Sequence, residues 1–296
     1  MRIFLYLSAL VLFFQCNIVA QLDRNYEGDI INSLKSQKYQ PKVEEAWDVR
    51  VNSVYGKAYV KSDAAEHWSK IEKDLPLEFD DTIRTDPGAN VVLSLDNKGI
   101  IRIEGNSEVE LSSIEKGDSV INILKGSLVA KINHFLDKTF MFKVKTPTAV
   151  CAIRGTEFAV EYSSFNDETG VAVFDEGKVG VTPSHSNIEK HGDDEMIVGE
   201  NTEIYLGPKI RKMKKAKLSR MAFHKSKLLK VRKSIKDLRK KWKPLSQRGK
   251  GNLRQKLLKR NLIQEGLKKK IKNQKLKKLL DINRTKKKKR EHDFGW

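Results

Sequence analysis

The side chains that could carry out chemistry are few in this sequence, and their spacing argues against an enzyme. Its six histidines never stand at the helical spacing of a metal-binding pair, and the sequence lacks both the glycine-rich phosphate-binding loop and the serine elbow of hydrolases. His185 and His191 lie close to Asp193, Asp194 and Glu195. A weak divalent-cation site is one interpretation of this acidic stretch, and a solvated loop is the favoured one. We therefore predict no catalytic residue, no metal and no cofactor.

The N-terminus has the order of a secretory signal peptide. Arg2 precedes an apolar run from Ile3 to Phe14, and a small-residue pattern ending at Ala20 offers a cleavage point. The run of about 12 residues is shorter than the roughly 20 that span a bilayer. We therefore predict a cleaved leader over residues 1–20. An uncleaved membrane anchor and a lipoprotein acylated at Cys16 are the alternatives.

Cleavage would leave Cys151 as the single cysteine, so no internal disulfide could form and a hydrophobic core must supply the stability. The apolar neighbours of Cys151 favour a buried small side chain over a nucleophile. No later segment approaches about 18 uninterrupted apolar residues. We therefore expect a protein exported through the secretory pathway, soluble or peripherally bound, in the periplasm or at the cell envelope.

The net charge of +20 combines two parts of opposite sign. Residues 21–208 carry 21 Lys and Arg against 33 Asp and Glu, whereas residues 209–296 carry 36 against 5. Such an asymmetry indicates a basic interaction tail attached to a separate domain. The tail could also bind the acidic domain of its own chain, and this alternative to an external partner stays open.

Short apolar segments alternate with turns across residues 46–208, after a polar lead-in at 21–45. Strands at spacings of about 8 to 12 residues, with Gly, Asn and Asp between them, are typical of an all-β sandwich, barrel or solenoid. We predict a turn at Lys125–Gly126 and irregular or helix-like structure at 64–73. The predicted strands are a first pair bent at Tyr55–Gly56–Lys57, then Val91–Leu95, Ile100–Ile103, Glu108–Leu111, Val120–Leu124, Leu128–Ile132, Phe140–Val144, Glu157–Tyr162, Val171–Phe174 and Val179–Val181.

The sequence pattern of the tail at 209–296 predicts helices. Its apolar residues recur at alternating spacings of three and four, which is the heptad seam of an amphipathic helix able to pack on a partner helix. A second seam follows a break from Pro244 to Gly251, so we predict a basic helical hairpin or a coiled coil with another copy. The seams are Leu228, Val231, Ile235, Leu238, Trp242 and Leu245, and then Leu253, Leu257, Ile263, Leu267, Ile271, Leu276 and Leu280.

The β region, between about Val49 and Val181, contains four sequence motifs in an order that is specific for one family. They read DDTIRTDPGANVVLSLDNKGIIRIEGNSEVEL, ILKGSLVAKI, VKTPTAVCAIRGTEFAVEY and VFDEGKVGV. In this order they resemble the FecR domain, an exported β module first named from an iron-dicitrate sensor. The resemblance implies a mainly β fold, a twisted β-sheet sandwich or a solenoid-like domain, ahead of the basic α-helical hairpin tail.

The family signature is most specific at its Arg-Gly-Thr triplet, and we interpret it as structural. Gly155 permits a bulge or a close backbone approach, and Arg154 could tie backbone carbonyls or pair with a carboxylate such as Asp175. Asp80 and Asp81 lie in a turn motif of the family, which favours turn capping over catalysis. Binding of an anionic ligand by Arg154 is the alternative. The signature positions are Asp81, Thr85, Gly126, Thr146, Pro147, Arg154, Gly155, Thr156, Phe158 and Gly177.

These observations predict a non-catalytic exported protein of the cell envelope, with a FecR-like ligand-binding or signalling domain. Some family members hold a sigma factor through a cytoplasmic helical segment; no such segment precedes the predicted leader, so we expect no direct sigma-factor regulation. The alternatives are a periplasmic regulator or sensor of transport signalling, and a charge-driven nucleic-acid-binding protein.

The tail is expected to hold an anionic envelope polymer or lipid, since each basic side chain near an anionic surface contributes on the order of 1 kcal/mol. It lacks the aromatic interleaving of a single-strand binder, so nucleic acid would be held by charge alone, without sequence specificity. An envelope protein and self-association are further candidate partners. The residues predicted to bind the anionic partner are Lys214, Lys215, Lys225, Lys230, Arg239, Lys240, Lys241, Lys268, Lys269 and Lys270.

Overall fold

The structure is a computed structural model that describes residues 46–63, 65–133, 141–184, 195–208 and 213–261, with further helical positions up to 277. The predicted leader at 1–20 and the lead-in at 21–45 lie outside the described residues. So do His185, His191 and the two aspartates that follow them.

The structure is 44% strand and 21% helix, with sixteen strands in the described chain, and the prediction of a mainly β protein is confirmed. Of the region at 64–73, the structure describes 65–73, which is irregular apart from one short strand. The strands are β1 (Val49–Tyr55), β2 (Ala58–Lys61), β3 (Ser69–Lys70), β4 (Thr82–Thr85), β5 (Asn90–Leu95), β6 (Gly99–Ile103), β7 (Glu108–Ile114), β8 (Ser119–Ile132), β9 (Phe142–Lys145), β10 (Ala149–Ile153), β11 (Glu157–Ser163), β12 (Glu168–Val173), β13 (Val179–Pro183), β14 (Met196–Val198), β15 (Thr202–Leu206) and β16 (Ala216–Lys217).

The strands form one open 16-stranded sheet in which β8 belongs to two halves. We call the strands β1, β5, β6, β11, β12, β15 and β16, with the C-terminal part of β8, the first half. The second half contains the other strands and the N-terminal part of β8. All pairs among the described strands are antiparallel except β8 with β9. One hydrophobic cluster takes side chains from both halves, so the core lies between them. The finer choice between a sandwich and a solenoid-like domain stays a prediction.

Strand β8 passes from one half to the other at Gly126, where the sequence pattern predicted a turn. That prediction is wrong, because hydrogen bonding continues on both sides of the glycine: Ile123 pairs with Val109, and Leu128 pairs with Ile103. Gly126 has φ of 88°, and a Cβ atom there would lie 2.6 Å from the Cα of Ser107. A glycine bends the strand here without ending it.

The first predicted pair is also corrected by the structure. β1 pairs with β5, and β2 pairs with β3 and β4, so the two segments joined at Gly56 lie in different halves. Gly56 has φ of 75°, and a Cβ there would lie 2.8 Å from the Cβ of Ala89. The glycine is therefore a crossing point between the halves and not a hairpin turn.

The first half is apolar on both faces. On β11, Phe158 and Val160 point into the core between the halves, whereas Ala159 points to a second cluster on the outer face. The same alternation places Val92, Ile100, Val129 and Ala172 on that outer face. Such a face must be covered by another element to stay out of water.

Helix α1 (Phe223–Lys241) is that cover. Four of the predicted seam positions are buried in the outer cluster beside the sheet residues, so the helix is confirmed but its seam packs on the sheet and not on a partner helix. The three-and-four spacing describes one apolar face, and it does not specify what that face contacts. These positions are Leu228, Val231, Ile235 and Leu238.

A second helix, α2, begins at residue 247 and is described continuously to 261. Trp242 is extended with ψ of 127° between the helices, as expected for a chain that approaches Pro244. Leu257 belongs to the core between the halves, whereas α1 belongs to the outer cluster. The two seams therefore face different surfaces, and the predicted helical hairpin is not confirmed.

The bend at Gly126 can be tested against a second glycine of positive φ. Gly88 has φ of 74° and open space around its missing Cβ. We expect Gly88→Ala to cost about 1 kcal/mol of unfolding free energy through backbone strain alone. Gly126→Ala should cost roughly 1 to 3 kcal/mol more, because its methyl group overlaps Ser107. Urea unfolding measures both; equal losses would contradict the close approach at β8.

Candidate functional site

The surface on which the tail contacts the β-sheet is the candidate functional site, because it joins the acidic and basic parts of the chain. We call it the tail interface. Helix α1 lies on the outer face of the first half, and α2 contacts the second half through polar side chains and the apolar side chain of Leu257. The ion pairs of the interface use carboxylates of the β domain.

The entry to α1 is fixed by Glu203 on β15. Its buried carboxylate accepts hydrogen bonds from the backbone N–H groups of Ser219, Arg220 and Met221 at 3.0, 3.0 and 2.9 Å. These donors lie just before the helix, whose capping residue Ala222 offers no side-chain hydrogen bond. Glu203, on a neighbouring strand, thus accepts the hydrogen bonds that a capping side chain would normally accept at the start of a helix.

The middle of α1 is held by Glu157 at the start of β11. Its carboxylate is almost completely buried and accepts hydrogen bonds from Arg232 Nε at 2.7 Å and Lys131 Nζ at 2.7 Å. Arg232 also donates to Asp175 at 2.8 Å, and Lys225 donates to Asp175 at 2.5 Å. A guanidinium that bridges two carboxylates fixes the angle of the helix on the sheet.

These contacts lower the pKa of both carboxyl groups. Burial of Glu157 alone would raise its pKa, but the hydrogen bonds from Arg232 and Lys131 outweigh it. For Asp175, the hydrogen bonds from Lys225 and Arg232 lower the pKa. Asp175, which the sequence offered as one possible carboxylate partner of Arg154, pairs with Lys225 and Arg232 in the structure.

A buried histidine adds another contact of α1. His224 Nε2 lies 3.1 Å from Glu161 Oε2, and this hydrogen bond lowers the pKa of Glu161. Lys227 Nζ lies 3.4 Å from Glu104 Oε2. Carboxylates of the sheet therefore meet cations along much of α1.

Helix α2 is held by a buried ion pair between Arg254 and the signature residue Asp81. Arg254 is 6% exposed and Asp81 is 0% exposed. The guanidinium donates through both terminal nitrogens, each 2.7 Å from one Asp81 oxygen, and also to the carbonyl of Pro76 at 2.8 Å. Asp81 further accepts from Ser62 Oγ at 2.9 Å and from the Glu78 N–H at 2.8 Å.

This pair changes the interpretation of Asp81. The predicted turn role is present, since its Oδ2 accepts from the N–H three residues earlier. Its second role, as the buried receptor of a tail arginine, was missed. Around it, Leu257 is buried and Asn261 Nδ2 donates to the Lys70 carbonyl at 2.7 Å.

The remaining signature residues make contacts within the β-sheet. Thr85 Oγ1 donates to the Glu104 carbonyl at 2.6 Å and accepts from the Ser107 N–H at 3.0 Å. Thr156 Oγ1 donates to the Lys178 carbonyl at 3.0 Å, and a Cβ at Gly177 would lie 2.6 Å from that hydroxyl oxygen.

The loop before β10 has a similar threonine anchor. Thr146 Oγ1 accepts from the Ala149 N–H at 2.9 Å and lies 2.7 Å from the hydroxyl of Thr169. Pro147 follows it in the bend. Phe158 is fully buried in the core, Gly155 has φ of 66°, and Arg154 is half-buried at the end of β10. The structural role of Arg154 stays a prediction.

The residues predicted to bind an anionic partner lie in different elements of the tail. Lys214 and Lys215 are exposed just before β16, and Lys225 pairs with Asp175. Lys230, Arg239, Lys240 and Lys241 are exposed on α1, and Lys270 is exposed at a helical position beyond it. The side chains of Lys268 and Lys269 lie outside the described residues.

Metal ligands and a reactive thiol would be the usual signs of catalytic chemistry. Within the described part of the chain, no group of three His, Cys, Asp or Glu side chains could hold a metal ion, and no described helix is long and apolar enough to cross a bilayer. Cys151 is fully buried, and burial raises the pKa of its thiol to about 12. Such a thiol is protonated at neutral pH and is a poor nucleophile.

The open β-sheet and the signature residues within it form a β module. Residues 81–180 match the family model described as FecR protein, so the chain contains a FecR domain. No curated protein matches the chain.

Among the solved structures that resemble the chain are two of a protein assigned as an anti-sigma factor from Parabacteroides distasonis ATCC 8503. Their TM-scores are 0.40 and 0.39, at 16% sequence identity in each case. Each comparison covers 47% of this chain and 61% of the solved chain. The chain thus spans less than two thirds of the length of these structures.

The Asp81–Arg254 pair predicts a large loss of stability when one partner is removed. Arg254→Met leaves a fully buried carboxylate without its cation, and we expect it to lower the unfolding free energy by about 3 to 5 kcal/mol. Arg260→Met is the control, because Arg260 is about half exposed where it pairs with Glu72, and its loss should stay below about 1 kcal/mol.

Chemical denaturation compares these variants. The double variant Asp81→Asn with Arg254→Met should recover part of the loss, because no buried charge is left alone. A loss for Arg254→Met no larger than that for Arg260→Met would contradict the dependence of Asp81 on the tail.

The lowered pKa values of Glu157 and Asp175 predict acid sensitivity of the tail interface. A carboxyl group with a lower pKa in the folded state stabilises it fully above the unfolded value, about 4, and loses this contribution as pH falls through the folded pKa. We expect Arg232→Gln to be less stable than the parent at pH 7 and to lose less stability on acidification. The control Lys143→Gln removes a contact to Asp118 outside the tail interface. An acid dependence of Arg232→Gln parallel to the parent would contradict this assignment.

Proposed function

We propose that this chain is a non-catalytic, exported protein of the cell envelope, in which the FecR domain carries a binding or signalling role and the tail holds an anionic envelope component. The FecR domain supports a signalling or regulatory role. The binding of an anionic component by the tail is the more specific part of the proposal. It concerns the face of α1 that points away from the sheet.

The observation that carries the proposal is the division of α1 into two faces. Its inner face is used by the apolar cluster and by the carboxylates of the tail interface. Its outer face presents exposed basic side chains with Asp237 as the one acidic residue of the helix. The exposed basic residues are Lys230, Lys233, Lys236, Arg239, Lys240 and Lys241.

These exposed residues make no ion pair with an acidic side chain within the described part of the chain, whereas Lys225, Lys227 and Arg232 on the inner side do. Docking on the domain therefore accounts for the inner cations and not for the outer ones. A helix that needed only to cover the sheet would require polar outer residues, but not cations of one sign. A dense positive face attracts phosphate-rich lipids and polymers, and the attraction weakens as salt screens it.

The sequence left open whether the tail binds its own domain or an external partner. The two are compatible, because they use opposite faces of the same helix. Docking also spares a partner the entropic loss of ordering the helix, which raises the affinity available from a given number of charges.

Nucleic acid is the second candidate partner by charge. No sequence specificity would be expected, since phosphate contacts fix position without reading bases. A role as a regulator or sensor of transport signalling concerns the β domain and would not depend on the outer face of α1.

The test is binding of the chain from Gln21 onward to anionic vesicles, lipopolysaccharide and duplex DNA, across a series of salt concentrations. We expect affinity to fall steeply with salt. Changing Lys230, Lys233, Lys236 and Lys240 to Gln should weaken binding at low salt by roughly 100- to 1,000-fold, since each cation contributes up to about 1 kcal/mol.

A matched control removes four exposed lysines of the β domain instead, Lys57, Lys98, Lys145 and Lys178. It lowers the net charge by the same amount and should weaken binding far less. Equal losses in the two variants would show that net charge alone matters, and no binding to any of the three probes would refute the proposal.

A further inference from the structure

Beyond the contact of α2 with the β-sheet, the structure describes a further set of exposed helical positions. Asn261 makes the last described contact, to the Lys70 carbonyl. The described positions after it are helical, and every one of their side chains is exposed. They are Ile263, Leu267, Lys270, Ile271, Asn273, Gln274, Lys275 and Lys277.

Three large apolar side chains lie along one face of this segment. Ile263, Leu267 and Ile271 are 55%, 56% and 52% exposed. Their spacing of four residues places them one above another on the helix surface. We call them the apolar stripe. The sequence had assigned all three to the apolar seam of the second helix, and the structure leaves them exposed to solvent.

Basic residues border the apolar stripe. Lys259 lies four residues before Ile263, and Lys270 lies three residues after Leu267, so both adjoin it on the helix surface. Both are exposed. An apolar face bordered by lysine is typical of a helix that lies in the interface of a lipid bilayer, with its apolar residues among the acyl chains and its lysines at the phosphates.

We propose that the apolar stripe and its lysines bind the surface of an anionic lipid bilayer. The inference rests on the proposed function and specifies the partner of the tail as lipid. A phosphate polymer would engage the lysines but would leave the three apolar side chains in water. A second copy of this helix would bring the same lysines together, and like charges at close range disfavour that contact.

The membrane contact then has two components with different responses to salt. The lysines attract the bilayer at a distance, and salt screens them. The apolar stripe holds the helix after contact, and burial of apolar surface is not weakened by salt. Lipid binding should therefore persist at salt concentrations that release DNA.

The test uses the chain from Gln21 onward with vesicles of phosphatidylglycerol and phosphatidylethanolamine, in parallel with duplex DNA. The variant Ile263→Gln, Leu267→Gln, Ile271→Gln keeps every charge. We expect it to bind DNA like the parent and to bind vesicles at high salt about 100- to 1,000-fold more weakly, roughly tenfold for each side chain. A control with Tyr55, Phe79 and Phe165 changed to Gln, which are exposed outside the tail, should bind both like the parent.

The outcomes separate this inference from the proposed function. Equal vesicle binding by the parent and the stripe variant at all salt concentrations would overturn the lipid role and leave charge-driven binding intact. Failure of the parent to bind either probe would overturn both. Sedimentation of the two proteins decides the remaining case: a dimeric parent and a monomeric stripe variant would identify a second copy as the occupant and overturn the inference.

Discussion

The fold depends on the need to cover the outer face of the first half of the sheet. Strands there are apolar at successive positions, so that Phe158 and Ala159 point into two separate clusters. The core between the halves satisfies one face, and α1 must satisfy the other. Without that helix the residues around Val129 and Phe174 would meet water. The basic tail is therefore a structural layer of the protein as well as a surface for partners.

Electrostatic contacts then decide where the tail lies. Glu203 accepts hydrogen bonds from the residues at the start of α1, Glu157 from the middle of α1, and Asp81 from α2. These carboxylates are buried, and a buried charge is tolerated only when it is paired and hydrogen-bonded. Each one therefore requires the tail segment that reaches it. Some of the acidic side chains of the β domain therefore pair with basic side chains of the tail within the same chain. These contacts form without any external partner.

Local sequence patterns predicted the elements well and their neighbours poorly. The apolar run in Val91–Leu95 and the spacing of Leu228 and Val231 identified strand and helix correctly, because these patterns report burial within one element. These patterns do not identify which element packs against the buried face. The heptad spacing on α1 was assigned to a partner helix, although the successive apolar residues Phe158, Ala159 and Val160 of β11 indicate a strand with apolar side chains on both faces.

The glycines and the buried ion pair also show that a local sequence pattern does not identify the neighbours of a single residue. Gly126 was assigned to a turn, because a glycine after an apolar run usually ends a strand; its actual role depends on the approach of Ser107. Arg254 is one of many tail cations, and nothing local distinguishes it. Glu157 did carry a signal, since a charged residue amid Phe158, Ala159 and Val160 is unusual unless it is paired.

The contact between Asp81 and Arg254 also governs when the chain can finish folding. The two residues are 173 positions apart, so the carboxylate is made long before its guanidinium. Until then, Asp81 favours a solvated loop over its native buried position. Contacts between distant residues slow folding because a long loop must close first. The native surroundings of Asp81 are thus completed only after the C-terminal helices have been synthesised.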